Sequence, residues 1–335
     1  MADIIANNAG HVLEYRDVCV DFPLKRGVLR AADHVSLAVR KGEILGIVGE
    51  SGSGKSTLAS TALNIVSAPG RISNGEVLFE GEDILKYPPD VSRQFNWRNV
   101  SMIFQAAQNS MNPILRVKDI FIETVKSHDP QAKEADILDK AVLLMKKVRL
   151  TPDSVMSSYP HQLSGGMKQR TIIALSLIFN PKVLILDEPT TALDVITQAY
   201  IMNILYDIHN ELGVTMIFNT HDVAIIGKMA DRIAVMYAGQ IVELGTTEDI
   251  FYDTMHPYSQ GLIKAAPSLY DDIAGRKAIP GTPPDLISPP PNCRFAPRCQ
   301  LHLSGACKNK PDMALTEYKP GHYVRCQCAQ GKAGV

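Results

Sequence analysis

The stretch Gly49-Glu50-Ser51-Gly52-Ser53-Gly54-Lys55-Ser56 constrains this chain more than any other. It fits G-x-x-x-x-G-K-[ST], the phosphate-binding loop, and its setting matters as much as its letters. Glu43-Ile44-Leu45-Gly46-Ile47-Val48 precedes it and reads as a buried strand. Thr57-Leu58-Ala59-Ser60-Thr61-Ala62-Leu63-Asn64 follows and reads as a helix. Gly49, Gly52 and Gly54 open backbone angles closed to residues with side chains. The loop amides can then turn toward an anion, helped by the positive end of the next helix. Lys55 would reach the β- and γ-phosphates of a nucleotide, and Ser56 would offer its hydroxyl to Mg²⁺. Alone, the loop leaves the function open, because a Gly-rich turn can match this pattern by chance.

Composition narrows the classes. With 335 residues the chain can hold more than one domain, and a net charge of −1 gives no basic excess for nucleic acid. The longest apolar run, residues 172–179, is interrupted by Ser176 and falls short of a membrane span. Met1-Ala2-Asp3-Ile4-Ile5-Ala6-Asn7-Asn8 lacks the basic and apolar parts of a signal peptide. A soluble intracellular protein is expected, one able to dock on a membrane protein. Five of six cysteines lie after residue 290, and in an intracellular chain such clustering favours a metal centre over disulfides.

Read in order, residues 12–22 alternate as a strand, 24–30 form a polar loop, and 31–40 hold a second strand. Asn74-Gly75 turns into a further strand, Glu76-Val77-Leu78-Phe79-Glu80. These strands look like an antiparallel flank on a parallel core. Residues 100–105 form a buried strand ending in Gln105, at the edge where open α/β sheets bind ligands. Residues 113–180 read as an inserted helical subdomain, with 136–148 its clearest amphipathic run. Leu163-Ser164-Gly165-Gly166-Met167-Lys168-Gln169-Arg170 leads into a helix running to Asn180. Lys182-Val183-Leu184-Ile185-Leu186-Asp187-Glu188 is a strand with two carboxylates at its tip. A helix to about Leu212, ended by Gly213, precedes a core strand at 214–219 that delivers His221. Residues 232–244 read as a hairpin around Ala238-Gly239. The main domain is expected over 11–265. A C-terminal extension carrying the cysteines is expected over 266–335, with its Pro-rich stretch 280–297 extended.

Together these motifs resemble the nucleotide-binding subunit of ABC transporters over residues 11–265. The resemblance implies an α/β P-loop NTPase with a parallel core sheet, an antiparallel flank and an inserted helical subdomain. It also implies ATP hydrolysis. ATP would contact residues 49–57, among them Glu50, Ser51, Ser53 and Thr57, with Gln105. Mg²⁺ would be held by Ser56 and Gln105, and by Asp187 through water. Glu188 would be the general base, or else a carboxylate serving the metal's water shell. His221 would brace the attacking water at the γ-phosphate, unless it is a buried histidine satisfied by backbone. Phe22 is the expected platform for the base, with Tyr15 second. Ser164, Gly165, Gly166 and Asp194 would face the nucleotide of a second ATPase subunit, so that two ATPs lie between two subunits.

Finer features resemble the dipeptide/oligopeptide importer branch. Phe104-Gln105 leads to Met111-Asn112-Pro113, and Glu188-Pro189-Thr190-Thr191-Ala192-Leu193-Asp194-Val195 follows the core strand. In the tail, His256-Pro257-Tyr258-Ser259 and Cys293-Arg294-Phe295-Ala296-Pro297-Arg298-Cys299 precede Gly321-His322-Tyr323-Val324-Arg325-Cys326. Ala106-Ala107 and Asn219 depart from the branch, the first beside the groove for the permease. Cys293, Cys299, Cys307 and Cys326 are spaced x5, x7 and x18, wider than zinc knuckles. The resemblance implies a [4Fe–4S] cluster there; zinc or unliganded thiols remain open, with Cys328 an alternative ligand. Cys19 reads as core. The implied partners are a related but non-identical ATPase subunit, two membrane permease subunits and an extracytoplasmic binding protein. The chain would sit on the cytoplasmic membrane face, importing peptides. Nickel, glutathione or oligosaccharide is the alternative cargo. A soluble ATPase acting on nucleic acid or ribosomes is the alternative class, disfavoured by one phosphate loop and no sustained heptads.

Overall fold

The computed structural model describes residues 10–191, 193–265, 279–307, 314–326 and 328. The chain divides into two compact units, Met1–Lys86 with Phe218–Val335, and Tyr87–Ile217. In order come β1 (His11–Leu24), β2 (Gly27–Arg40), β3 (Ile44–Val48), α1 (Lys55–Thr61), β4 (Arg71–Phe79) and β5 (Glu82–Asp83). The second unit holds α2 (Pro89–Arg98), β6 (Val100–Ile103), α3 (Val117–His128), α4 (Glu134–Lys147), α5 (Pro152–Ser157), α6 (Gly165–Ser176), β7 (Val183–Asp187) and α7 (Val195–Leu212). Next are β8 (Thr215–Thr220), α8 (Val223–Ile226), β9 (Arg232–Tyr237), β10 (Gln240–Thr246), α9 (Thr247–Tyr252) and α10 (Pro257–Ala265). The tail adds α11 (Gln300–Leu303), β11 (Thr316–Lys319) and β12 (His322–Val324).

In the first unit, β1 pairs antiparallel with β2 and β4, giving the order β2-β1-β4-β5. The segment expected as a loop at 24–30 is mostly strand. Lys25 and Arg26 alone form the turn, and β2 begins at Gly27. The charges there sit on the exposed end of a hairpin, which hides its pairing from a hydrophobicity reading. All five residues of β3 and all six of β9 are buried, and the two strands run parallel. That is the continuous apolar pattern of strands covered on both faces. β9 turns back into β10 through Ala238 and Gly239, both left-handed at φ 49 and 84, as a two-residue hairpin turn requires.

Beyond the Pro-rich stretch, the tail adds strands to the fold. β12 pairs antiparallel with β10, and β11 with β12. Phe295, Ala296, Leu315 and Val324 are buried there. These strands have four and three residues, too short for alternation to show.

In the second unit β6 and β7 run parallel, and among the described residues no strand falls between them in the chain. α3 and α4 bury Val117, Ile120, Phe121 and Val125, and Ile137, Ala141, Leu144 and Met145, at helical spacing. α6 ends at Ser176, four residues short of the expected Asn180, which itself is left-handed at φ 53.

Candidate functional site

The phosphate loop joins the end of β3 to α1, whose N-cap is Gly54 at φ 102. Two glycines here have no substitute. A Cβ on Gly49 would lie 2.0 Å from the Met236 carbonyl oxygen, and one on Gly54 2.2 Å from that of Ala31. Lys55 is buried within the loop. Its ammonium donates to the carbonyls of Gly49 at 2.8 Å and Glu50 at 3.0 Å, and to Ser53 Oγ at 3.4 Å. Ser51, Gly52 and Ser56 are exposed and Thr57 is half-buried. Glu50 is committed elsewhere: its amide donates to Tyr258 Oη at 2.9 Å, and its carboxylate accepts from Arg298.

Of the two candidate aromatic platforms, Tyr15 is fully buried in β1 and has no face for a base. Phe22 is half-buried, its ring set against Gly70, where a Cβ would come within 2.5 Å of it. His221 follows β8 and is exposed, so it is not a buried structural histidine. Asp222 beside it caps α8, accepting from the Ile225 amide at 3.1 Å.

In the second unit Asp187 ends β7 and is buried, and Glu188 follows it at φ 48. A left-handed glutamate is strained unless its surroundings hold it. Gln105 Nε2 donates to Glu188 Oε2 at 3.0 Å and Thr191 Oγ1 donates to the same oxygen at 2.9 Å. The two motifs flanking β6 and β7 are thus joined on one carboxylate. Thr191 belongs to a motif visible in the sequence, but its role there has no local signal.

Ser164 caps α6, its Oγ accepting from the Met167 amide at 3.3 Å. Asp194 caps α7, accepting from the Thr197 amide at 2.9 Å and its hydroxyl at 2.7 Å. The Thr197 hydroxyl and amide hold the Asp194 carboxyl below the ordinary range. Ser164, Gly165, Gly166 and Asp194 line one open cleft of about 530 Å³. Two helix N-termini on one cleft suit a bound anion.

The tail cysteines converge. Cys293, Cys299, Cys307, Cys326 and Cys328 line a single cavity with His256 and Phe295. None of the six cysteines forms a disulfide. Burial pushes the Cys293 thiol up to about 11, so a thiolate there calls for a compensating cation. Among the described residues, the groups of His, Cys, Asp or Glu donors lying within 4.8 Å of one another are Cys19, Asp33 and His34, and Asp249, Asp253 and His322. No three of the described tail thiols therefore lie within 4.8 Å of one another, while Cys307 and Cys328 are in side-chain contact. Also among the described residues, no helix is long and apolar enough to cross a membrane.

Residues 32–191 match the ABC transporter model, and 242–307 match the oligopeptide/dipeptide transporter C-terminal region. The dipeptide transport ATP-binding protein DppD of Caldanaerobacter subterraneus is 42% identical over 300 residues, covering 90% of this chain and 92% of the relative. The oligopeptide transport ATP-binding protein OppD of Salmonella typhimurium is 40% identical over 320 residues, covering 95% and 94%. Among solved structures, cbiO1 of Clostridium perfringens, part of the ABC transporter complex cbiONQ, superposes with a TM-score of 0.63 at 28% identity. It covers 72% of this chain and 91% of its own. The dimeric ATP-binding cassette MJ0796, in a post-hydrolysis state bound to ADP and Pi, gives 0.61 at 27% identity, covering 70% and 98%. The phosphate loop, the carboxylate at the tip of β7, the capped glycines of α6 and this agreement along nearly the whole chain have one reading: the chain belongs to the ABC transporter ATPases, in the branch of dipeptide and oligopeptide transport ATP-binding proteins.

Proposed function

We propose that this chain hydrolyses ATP to drive peptide uptake through a membrane permease. The observation that carries the chemistry is Glu188, fixed at the tip of β7 by Gln105 and Thr191. The peptide assignment rests on the C-terminal region and on the relatives named for dipeptide and oligopeptide transport. The phosphate loop and Lys55 bind the β- and γ-phosphates, and Phe22 supplies the ring for the base. Ser56, Gln105 and Asp187 supply oxygen ligands suited to Mg²⁺, a hard cation. Glu188 takes the proton of the attacking water, and His221 braces that water. Ser164, Gly165, Gly166 and Asp194 cap the nucleotide held by a second, related ATPase subunit. Binding of ATP closes the pair and moves two permease subunits, which receive peptide from an extracytoplasmic binding protein. The chain itself sits peripherally on the cytoplasmic face of the membrane.

Glu188→Gln tests this reading in the assembled importer. ATP should still bind while hydrolysis falls by about 10²–10⁴-fold, the range for losing a general base. Near-normal turnover would remove Glu188 from that role. Peptide uptake by the wild-type importer in vesicles, absent without ATP, tests the cargo.

For the tail, the reading is a [4Fe–4S] cluster on Cys293, Cys299, Cys307 and Cys326. Four thiols lining one cavity support it. A cluster there would tie the tail together. Anaerobically purified protein should contain iron and acid-labile sulfide; zinc without sulfide would end this assignment.

A further inference from the structure

Arg298 lies in the tail, next to Cys299 and far along the chain from the phosphate loop. Its guanidinium nevertheless ends on that loop. Nη1 donates to Glu50 Oε2 at 2.7 Å and Nη2 to Glu50 Oε1 at 2.9 Å. This two-toothed geometry is available to arginine and not to lysine. Nε donates to the Pro280 carbonyl at 2.8 Å, Nη2 also to that of Ile279 at 3.2 Å, and Nη1 to Tyr237 Oη at 3.3 Å. The guanidinium also lies over the rings of Tyr237 and Phe295. The side chain is 4% exposed.

Glu50 is held from three directions. Arg298 takes its carboxylate, Tyr258 Oη accepts from its amide, and its carbonyl accepts from Lys55 Nζ. The neighbouring Gly49 carbonyl receives the same ammonium. The far side of the loop is tied down as well. Arg294 Nη2 donates to Asp33 Oδ2 at 2.7 Å, and its Nη1 donates to the Ala238 carbonyl. Gly239, next in the chain, donates its amide to the Ser53 carbonyl at 2.9 Å. The two arginines between Cys293 and Cys299 thus brace both ends of the loop that holds Lys55.

We propose that Arg298, acting through Glu50 and helped by Tyr258, is a positioning residue for nucleotide binding. It fixes the Gly49-Glu50 peptide and so the two carbonyls that aim Lys55. Glu50 itself is then a brace and not a phosphate ligand. This inference rests on reading residues 49–56 as the phosphate site of ATP. A tail that merely shields the core would affect stability without this effect on nucleotide.

The test uses the purified full chain titrated with ATP and Mg²⁺, with Lys55→Ala as the control for the underlying reading. If the wild type fails to bind ATP, or Lys55→Ala binds as well as the wild type, the phosphate-site reading fails. Given that control, Arg298→Gln and Glu50→Gln should each weaken ATP binding about tenfold, within the 5- to 150-fold range usual for coupling between sites. The double variant should be no weaker than the worse single one, because both break one interaction. Arg298→Lys should fall between. In the assembled importer the KM for ATP should rise while kcat changes less than about twofold. Affinities within about twofold of wild type for both single variants, or losses that multiply in the double variant, would overturn the proposal. If Arg298→Gln does not fold, Glu50→Gln alone decides, since it keeps the shape of a partly exposed side chain.

Discussion

At the scale of single residues, two kinds of constraint act, one in each unit. The first is space. Gly49→Ala would place a methyl 2.0 Å from the Met236 carbonyl oxygen, so the loop must shift or the strand must part from it. ATP binding by this variant should be lost in a titration, while Gly52→Ala, with nothing within 4 Å, should fare better despite its φ of 78. The second constraint is orientation. Thr191→Val keeps the shape of the side chain but removes a hydrogen bond to Glu188. A bond to a charged group is worth about 1.5–3 kcal/mol. Steady-state kinetics of the importer should show kcat down about 10- to 150-fold with KM for ATP little changed. Glycines and strand-tip carboxylates announce themselves in a sequence because their chemistry is local. The Gln105–Glu188 bond does not, because its two residues are 83 apart and the side-chain direction depends on packing.

At the scale of elements, the helices were legible where their ends carry caps. Gly213 closes α7 at φ 63, and Asp194 opens it. Ser164 opens α6, and Ser164→Ala should lower unfolding stability by about 1 kcal/mol or less, given its long capping bond. Chemical denaturation of the full chain measures this. The edge of β10 was less legible. Glu243 is fully buried there, accepting from His322 Nε2 at 2.9 Å and from the amides of Met255 and His256. Burial alone would raise its carboxyl, but His322 and those amides more than offset it and hold it below the usual 4.5. The unfolded chain therefore takes up the proton first. The stabilisation is complete well above 4.5 and is lost as the pH falls through the lower folded value. The melting temperature should hold above about pH 5 and drop on acidification; Glu243→Gln should start lower and show a shallower drop. A charged residue inside a strand reads as solvent-facing until its partners are known.

For the whole molecule, the tail is the part whose meaning changed most. Its sequence shows a Pro-rich stretch at 280–297 and the cysteines, but no strand pattern. In the structure β12 covers the edge of β10, and Phe295 packs on Tyr237 and Tyr258 with ring centroids 5.3 and 5.5 Å away. Truncation after residue 265 should uncover that strand edge and bare those rings. The shortened chain should shift to higher oligomers on size-exclusion chromatography, as exposed edges promote pairing between copies. A truncated chain eluting unchanged would show that β12 does not protect the sheet. The sequence alone was enough to specify the phosphate loop, the apolar strand before it and the helix after it, the capped helices and the family they compose. Each of these depends on neighbours a few residues away and on a periodicity of two or 3.6. Tertiary structure alone decided that Tyr15 is core while Phe22 is half-buried, that Thr191 and Gln105 share one carboxylate, and that Arg298 reaches Glu50 across 248 positions. The physical reason is common to all three: the partner of a side chain is set by where the backbone has carried it, and no local pattern records that distance.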